Sequence, residues 1–203
     1  MSITVVTGPP GAGKTTVAAA LARSAPLGVH LIADQCFHWI VAGYAAPWLP
    51  ESHRQNATVI QVVGTASACY AAGGYEVVVD GIVGPWFLRH FQRALGAGAD
   101  GLRYVILRPA REVALRRPLE RSGGEDLVDP GPISAMYDAF EDLGFFESHV
   151  IDSSDQHLAG TVATIRRGLG DGRFSLADSH DDDMARLARK YDVQMPGDPE
   201  IAT

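Results

Sequence analysis

Residues 4–22 read TVVTGPPGAGKTTVAAALA, and the central Gly8–Thr15 stretch fits the pattern GxxxxGK[ST] throughout. A β-branched run precedes it and an Ala/Leu-rich run follows. The glycines therefore stand at a strand-to-helix turn. Gly8, Gly11 and Gly13 let the backbone turn tightly, and the loop amides together with the helix N-terminus form a concavity suited to phosphate. Gly8, Gly11, Ala12 and Gly13 are the expected cradle. Lys14 is expected to reach the phosphate oxygens, the Thr15 hydroxyl to ligate Mg²⁺, and Thr16 to touch the α-phosphate.

A strand, loop and helix in register call for an α/β fold, and the rest of the chain supplies one. Strand candidates are ITVVTG from Ile3, VHLIA from Val29, YEVVVD from Tyr75, LRYVILR from Leu102 and SHVID from Ser148. They are Val/Ile/Leu-rich rather than alternating, as in strands buried on both faces of a parallel sheet. Helices are expected near 14–25, 52–72, 85–97, 110–121, 132–143 and 155–169, with Pro85 and the Asp129–Pro132 segment marking two starts. After Gly172 the character changes to an acidic stretch, Asp181–Asp183, and the short helical pattern MARLARKY. The expected organisation is a domain over 1–172 with a lid near 110–131, followed by an acidic appendage over 173–203, partly helical or disordered.

In an open parallel sheet the ligand lies beyond the carboxyl ends of the strands. Asp34 follows the second strand there, and Asp80 ends the third. A carboxylate at that edge can accept the proton of an attacking hydroxyl or hold the water shell of Mg²⁺. Asp34 suits the base, because the mixed apolar and aromatic segment QCFHWIVAGY after it can wall a small acceptor. Asp80 suits the metal, because it ends an apolar strand. Gly81 stands where many motor-type ATPases carry a water-activating glutamate, and no NKxD-like guanine-reading motif occurs. Both observations favour phosphotransfer.

Arg108, Arg111, Arg116, Arg117 and Arg121 cluster in one stretch of an otherwise acidic chain. Arg117 and Arg121 share a helical face, with Arg116 adjacent. Brought over the loop by a hinge at Gly123–Gly124, they can stabilise charge on a phosphoryl group in transfer. The other reading is a solvated basic face paired with Glu112, Glu120, Glu125 and Asp126.

The phosphate loop, Asp34, Asp80, the Arg116–Arg121 lid and VIDSS near Val150 occur in an order that resembles the small-molecule kinases of the P-loop class. That group includes shikimate kinase, gluconate kinase, adenylate kinase and chloramphenicol phosphotransferase. The resemblance covers residues 1 to about 170. It implies a three-layer α/β P-loop NTPase fold, a five-stranded parallel sheet of order 2-3-1-4-5 flanked by helices, and ATP as the nucleotide. LIADQ and VVVDGIV are most similar to chloramphenicol phosphotransferase and its ATP-binding relatives, in which the aspartate after the second strand is the base, here Asp34. The sequence departs from shikimate kinase in lacking a second acidic residue two positions after Asp34 and a GGG turn after the third strand. His38, Trp39, Tyr44, Trp48, His53 and Arg54 lie where these kinases build the acceptor pocket. His30 and His90 carry no expected chemistry, and Asp152 with Ser153 and Ser154 reads as a helix cap.

Together these readings predict ATP- and Mg²⁺-dependent transfer of the γ-phosphate to a hydroxyl of a small molecule, an antibiotic being one candidate. Lys14, Asp34 and Arg117 or Arg121 would act in catalysis, and Thr15 and Asp80 would hold the metal. The alternative is a nucleotide-binding regulator or slow NTPase acting through a protein partner, with the acidic tail from Asp178 as its contact. Lys and Arg total 17 against 24 Asp and Glu, and the resulting net charge of −7 disfavours nucleic acid as a partner. Two cysteines, Cys36 and Cys69, make neither a zinc pattern nor a disulfide framework, and no apolar run approaches the roughly 20 residues of a membrane span. A cytoplasmic setting is the expectation.

Overall fold

A computed structural model describes residues 2–96, 101–119, 129–155, 157–176 and 181–190. Its strands are β1 (Ser2–Thr7), β2 (Gly28–Ile32), β3 (Glu76–Asp80), β4 (Leu102–Leu107) and β5 (Val150–Ile151). They form one parallel sheet in the order β2-β3-β1-β4-β5, the order the resemblance implies. Helices α1 (Lys14–Arg23), α2 (Ala33–Phe37), α3 (His53–Ala72), α4 (Leu88–Leu95), α5 (Arg111–Leu119), α6 (Pro130–Asp138), α7 (Leu158–Gly170) and α8 (Asp181–Lys190) complete the described chain.

Strand parity sorts the core into two layers. Ile3 and Val5 of β1, with Val77 and Val79 of β3, pack against Val59, Ile60 and Val63 of α3 and Leu88 and Phe91 of α4. Val6, Val78 and Val105 face the other way, onto Val17 and Leu21 of α1 and Ile165 of α7. The central strands are thus largely apolar on both faces because helices cover both. Two described segments past β5 pack on this frame. Phe174 is fully buried in the α1 layer and its carbonyl accepts the Tyr104 N–H at 2.9 Å. Met184, Leu187 and Ala188 of α8 join the α3 layer, with α8 against a 3₁₀ turn at Pro85–Phe87.

Three local expectations change. The strand expected over 148–152 shrinks to Val150–Ile151, because Gly144–His149 winds into a 3₁₀ turn that buries Phe146 and His149. The segment after β2, where no helix is expected, begins as the short helix α2. Helix α6 starts at Pro130, with the Asp129 carboxylate accepting the Gly131 N–H at 3.0 Å.

β1 lies between β3 and β4, so the connections leave it to opposite sides and open a crevice at its carboxyl end. The Gly8–Thr15 loop, the end of β3 and the start of α2 all meet there.

Candidate active site

The loop between β1 and α1 takes the backbone shape that its glycines permit. Gly8, Gly11 and Gly13 have φ of 141°, 77° and 86°. At Gly8 a Cβ would lie 2.0 Å from the Leu107 carbonyl oxygen, so no side chain fits. The loop carbonyls are held from inside the protein. Lys14 Nζ donates to Pro9 O at 3.0 Å, Arg117 Nη1 to Gly11 O at 3.3 Å and Ser153 Oγ to Ala12 O at 3.2 Å. A peptide N–H points opposite its C=O, so the Gly13 amide faces away from Ser153. Gly13 caps α1 without any side-chain bond, and nothing lies within 4 Å of the position a Cβ would take there. Open space beside an uncapped helix N-terminus is the shape a triphosphate needs.

Asp80, at the carboxyl end of β3, is 2% exposed and pairs with His30 of β2, Nε2 to Oδ1 at 2.8 Å. Asp34 lies in the first turn of α2, at the solvent-facing mouth of the crevice. Protein surrounding its carboxylate raises its pKa above 3.8; the charge of Lys14 opposes the rise, Asp80 adds to it and His38 opposes it. Lys14, Asp80 and His38 thus all lie within electrostatic reach of Asp34. Thr15 and Thr16 are exposed in the first turn of α1. Hydroxyl and carboxylate oxygens suit a hard cation. Among the described residues no group of three or more His, Cys, Asp and Glu forms a metal cage. Mg²⁺ fits this donor set, since it is bound through one or two protein oxygens plus phosphate and water.

The strand ends are braced from below. Val83 N donates to Thr7 Oγ1 at 2.9 Å, and Tyr104 Oη donates to Val83 O at 2.7 Å. Tyr104 is fully buried, and burial pushes its pKa well above 10.0. Gly81, next to Asp80, is packed against α2, and a Cβ on it would meet the Ala33 Cβ at 2.7 Å.

The arginines divide. Arg117 leans onto the loop, with Nη2 also donating to Ser153 O and Ser154 O at 3.2 and 3.1 Å. Arg108 makes a bidentate bond to Glu147, which holds that carboxyl below its usual range, and Arg111 bonds Asp138 and Ser134. Arg116 is exposed on α5. Arg121 and the Gly123–Gly124 pair lie outside the described residues. Asp152 caps no helix: it accepts the Ser154 N–H at 2.9 Å in an Asx turn, and α7 begins only at Leu158.

Between α2 and α3 lies a cavity of about 500 Å³ lined by Cys36, Trp39, Ile40, Arg54, Val59 and Val62 among others. Gln55 pins the loop above it, donating to Ala45 O at 2.7 Å and accepting Ala45 N–H at 2.8 Å. Trp39, Tyr44 and Trp48 stay exposed on that loop. His30, expected to carry no chemistry, Ser153, expected in a helix cap, and Tyr104, not singled out, all border the candidate site. The signal for His30 was a lone polar residue inside a strand, two positions before its end.

The AAA domain family (AAA_18) matches residues 5–154, from β1 to the turn after β5. A comparison with curated proteins finds no match. Among solved structures, a sugar kinase from Janibacter sp. HTCC2649 superposes with a TM-score of 0.63 at 16% identity, over 84% of this chain and 95% of that one. A gluconokinase from Sinorhizobium meliloti 1021 gives 0.58 at 19% identity, over 93% and 94% of the two chains. The tunicamycin resistance protein of Deinococcus radiodurans gives 0.56 at 18%, over 83% and 95%. At these identities the likeness establishes the fold. Among the described residues no helix is long and apolar enough to cross a membrane.

Proposed function

Since the chain belongs to the AAA domain family AAA_18, and its P-loop is built to hold a triphosphate, we propose that it is an ATP-dependent kinase transferring the γ-phosphoryl group to an alcohol of a small molecule. The observation that carries this reading is the meeting of Asp34, Asp80 and Lys14 within electrostatic reach at the mouth of the loop. A carboxylate raised in pKa and open to the crevice is suited to taking a proton from an entering hydroxyl.

Lys14 and the loop amides hold the phosphates, and Thr15 and Asp80 hold Mg²⁺. When bound, Mg²⁺ neutralises phosphate oxygens and orients them. Asp34 accepts the acceptor's proton as its oxygen attacks. Arg117, already at Gly11, offers its guanidinium to the transferring group from a lid that includes α5; Arg121 is assigned the same role. The acceptor is placed along α2 and α3, where Trp39, Tyr44 and Trp48 supply flat apolar surface. The resistance function of the Deinococcus radiodurans neighbour supports keeping an antibiotic among the acceptors.

Asp34→Asn should bind ATP within about twofold of wild type and transfer phosphate at least 10²-fold more slowly, roughly the loss of a general base. Titration calorimetry with ATP and an acceptor screen followed by ³¹P NMR check both halves. A phosphate ester formed at the wild-type rate by the variant would remove Asp34 from the reaction. Inorganic phosphate as the sole product of wild type across the screen would favour a slow NTPase acting through a protein partner.

A further inference from the structure

β2 and β3 run parallel with Ile32 opposite Asp80 and His30 opposite Val78. His30 and Asp80 therefore share one face of the sheet, a diagonal apart, and His30 reaches forward to the carboxylate. Val78 on that face packs in the α1 layer, so the pair sits beneath the helix that carries Lys14 and Thr15. The Asp80 side chain is 2% exposed and that of His30 18%. A buried carboxylate needs a donor. Ionised, it can only accept, so in this bond Nε2 of His30 is the donor and Oδ1 of Asp80 the acceptor. Among the described residues no other group bonds Asp80, and Oδ1 is the oxygen engaged.

We infer that His30 is a positioning residue for the divalent cation: by fixing Oδ1 it presents Oδ2 of Asp80 to the cation or its water shell at the phosphate loop. This rests on the reading of Asp80 as the Mg²⁺ residue. Outer-shell hydrogen-bond partners of metal ligands are worth about 10- to 100-fold in metal affinity. His30 is such a partner supplied by the neighbouring strand. It acts without touching nucleotide or acceptor.

The test is the Mg²⁺ concentration that half-saturates tightening of mant-ATP binding, measured by fluorescence on the full chain, with affinity in EDTA and thermal melting as companions. His30→Ala should need about 10-fold more Mg²⁺, with mant-ATP affinity in EDTA unchanged. His30→Phe, which fills the space without a donor, should show the same loss, and His30→Gln, which keeps an N–H donor, should recover most of it. A wild-type Mg²⁺ midpoint in His30→Phe or His30→Ala overturns the inference. Asp80→Asn separates the two readings. If it keeps the wild-type midpoint, Asp80 is not the cation residue and the premise fails; if it loses Mg²⁺ dependence while the His30 variants do not, only the role of His30 fails.

Discussion

Asp34 stands where surrounding protein disfavours its charge, Lys14 favours it and Asp80 disfavours it again, with a net rise above 3.8. In linkage terms, a folded-state pKa above the unfolded one means that stability falls as pH rises from the unfolded value to the folded one, with the full penalty above the folded value. Below 3.8 both states are protonated and the penalty vanishes. Asp34→Asn should therefore melt at a higher temperature than wild type near pH 7 and lose that advantage by about pH 3. Calorimetry across the pH range checks it; an Asn variant that melts lower near neutrality would contradict the crowding. A residue selected for stability alone would not sit there. The same rise should bring the acid limb of kcat/KM above the range of an ordinary aspartate.

At the level of elements, the site depends on how closely the end of β3 approaches the start of α2. Gly81 was read from sequence as the absence of a water-activating glutamate. The structure gives a steric reason, since any side chain there would collide with Ala33. Gly81→Ala should push Asp34 and Asp80 apart and reduce kcat about 10-fold while ATP affinity holds, as steady-state kinetics with nucleotide titration would show. The loop motif and the Val-rich strands were legible because each carries a local signature, glycines at fixed offsets or an unbroken apolar run. Helix α2 was not, because ADQCF is too short to display a helical period. His30 was passed over for a different reason. Its partner lies 50 residues away, and only strand order and register bring the two together. Arg117 was legible as a candidate and as no more, because which arginine faces the loop depends on where α5 docks.

For the whole molecule, α8 shares one core with the helices beside the site. Leu187 of α8 is fully buried in the layer that holds α3 and α4. Leu187→Ala should cost about 3 kcal/mol of stability, as for other buried leucines, and urea denaturation would register it as a lower midpoint at unchanged slope. The MARLARKY pattern announced a helix, but nothing local to it specifies the patch it covers.

Val83 donates its amide to Thr7 and accepts the Tyr104 hydroxyl at its carbonyl, so neither its amide nor its carbonyl is at liberty. The segment after β3 is thereby tied to β1 and β4 alike. Trp39, Tyr44 and Trp48 stand in solvent instead, so side chains on the loop after α2 can be exchanged without disturbing that buried frame.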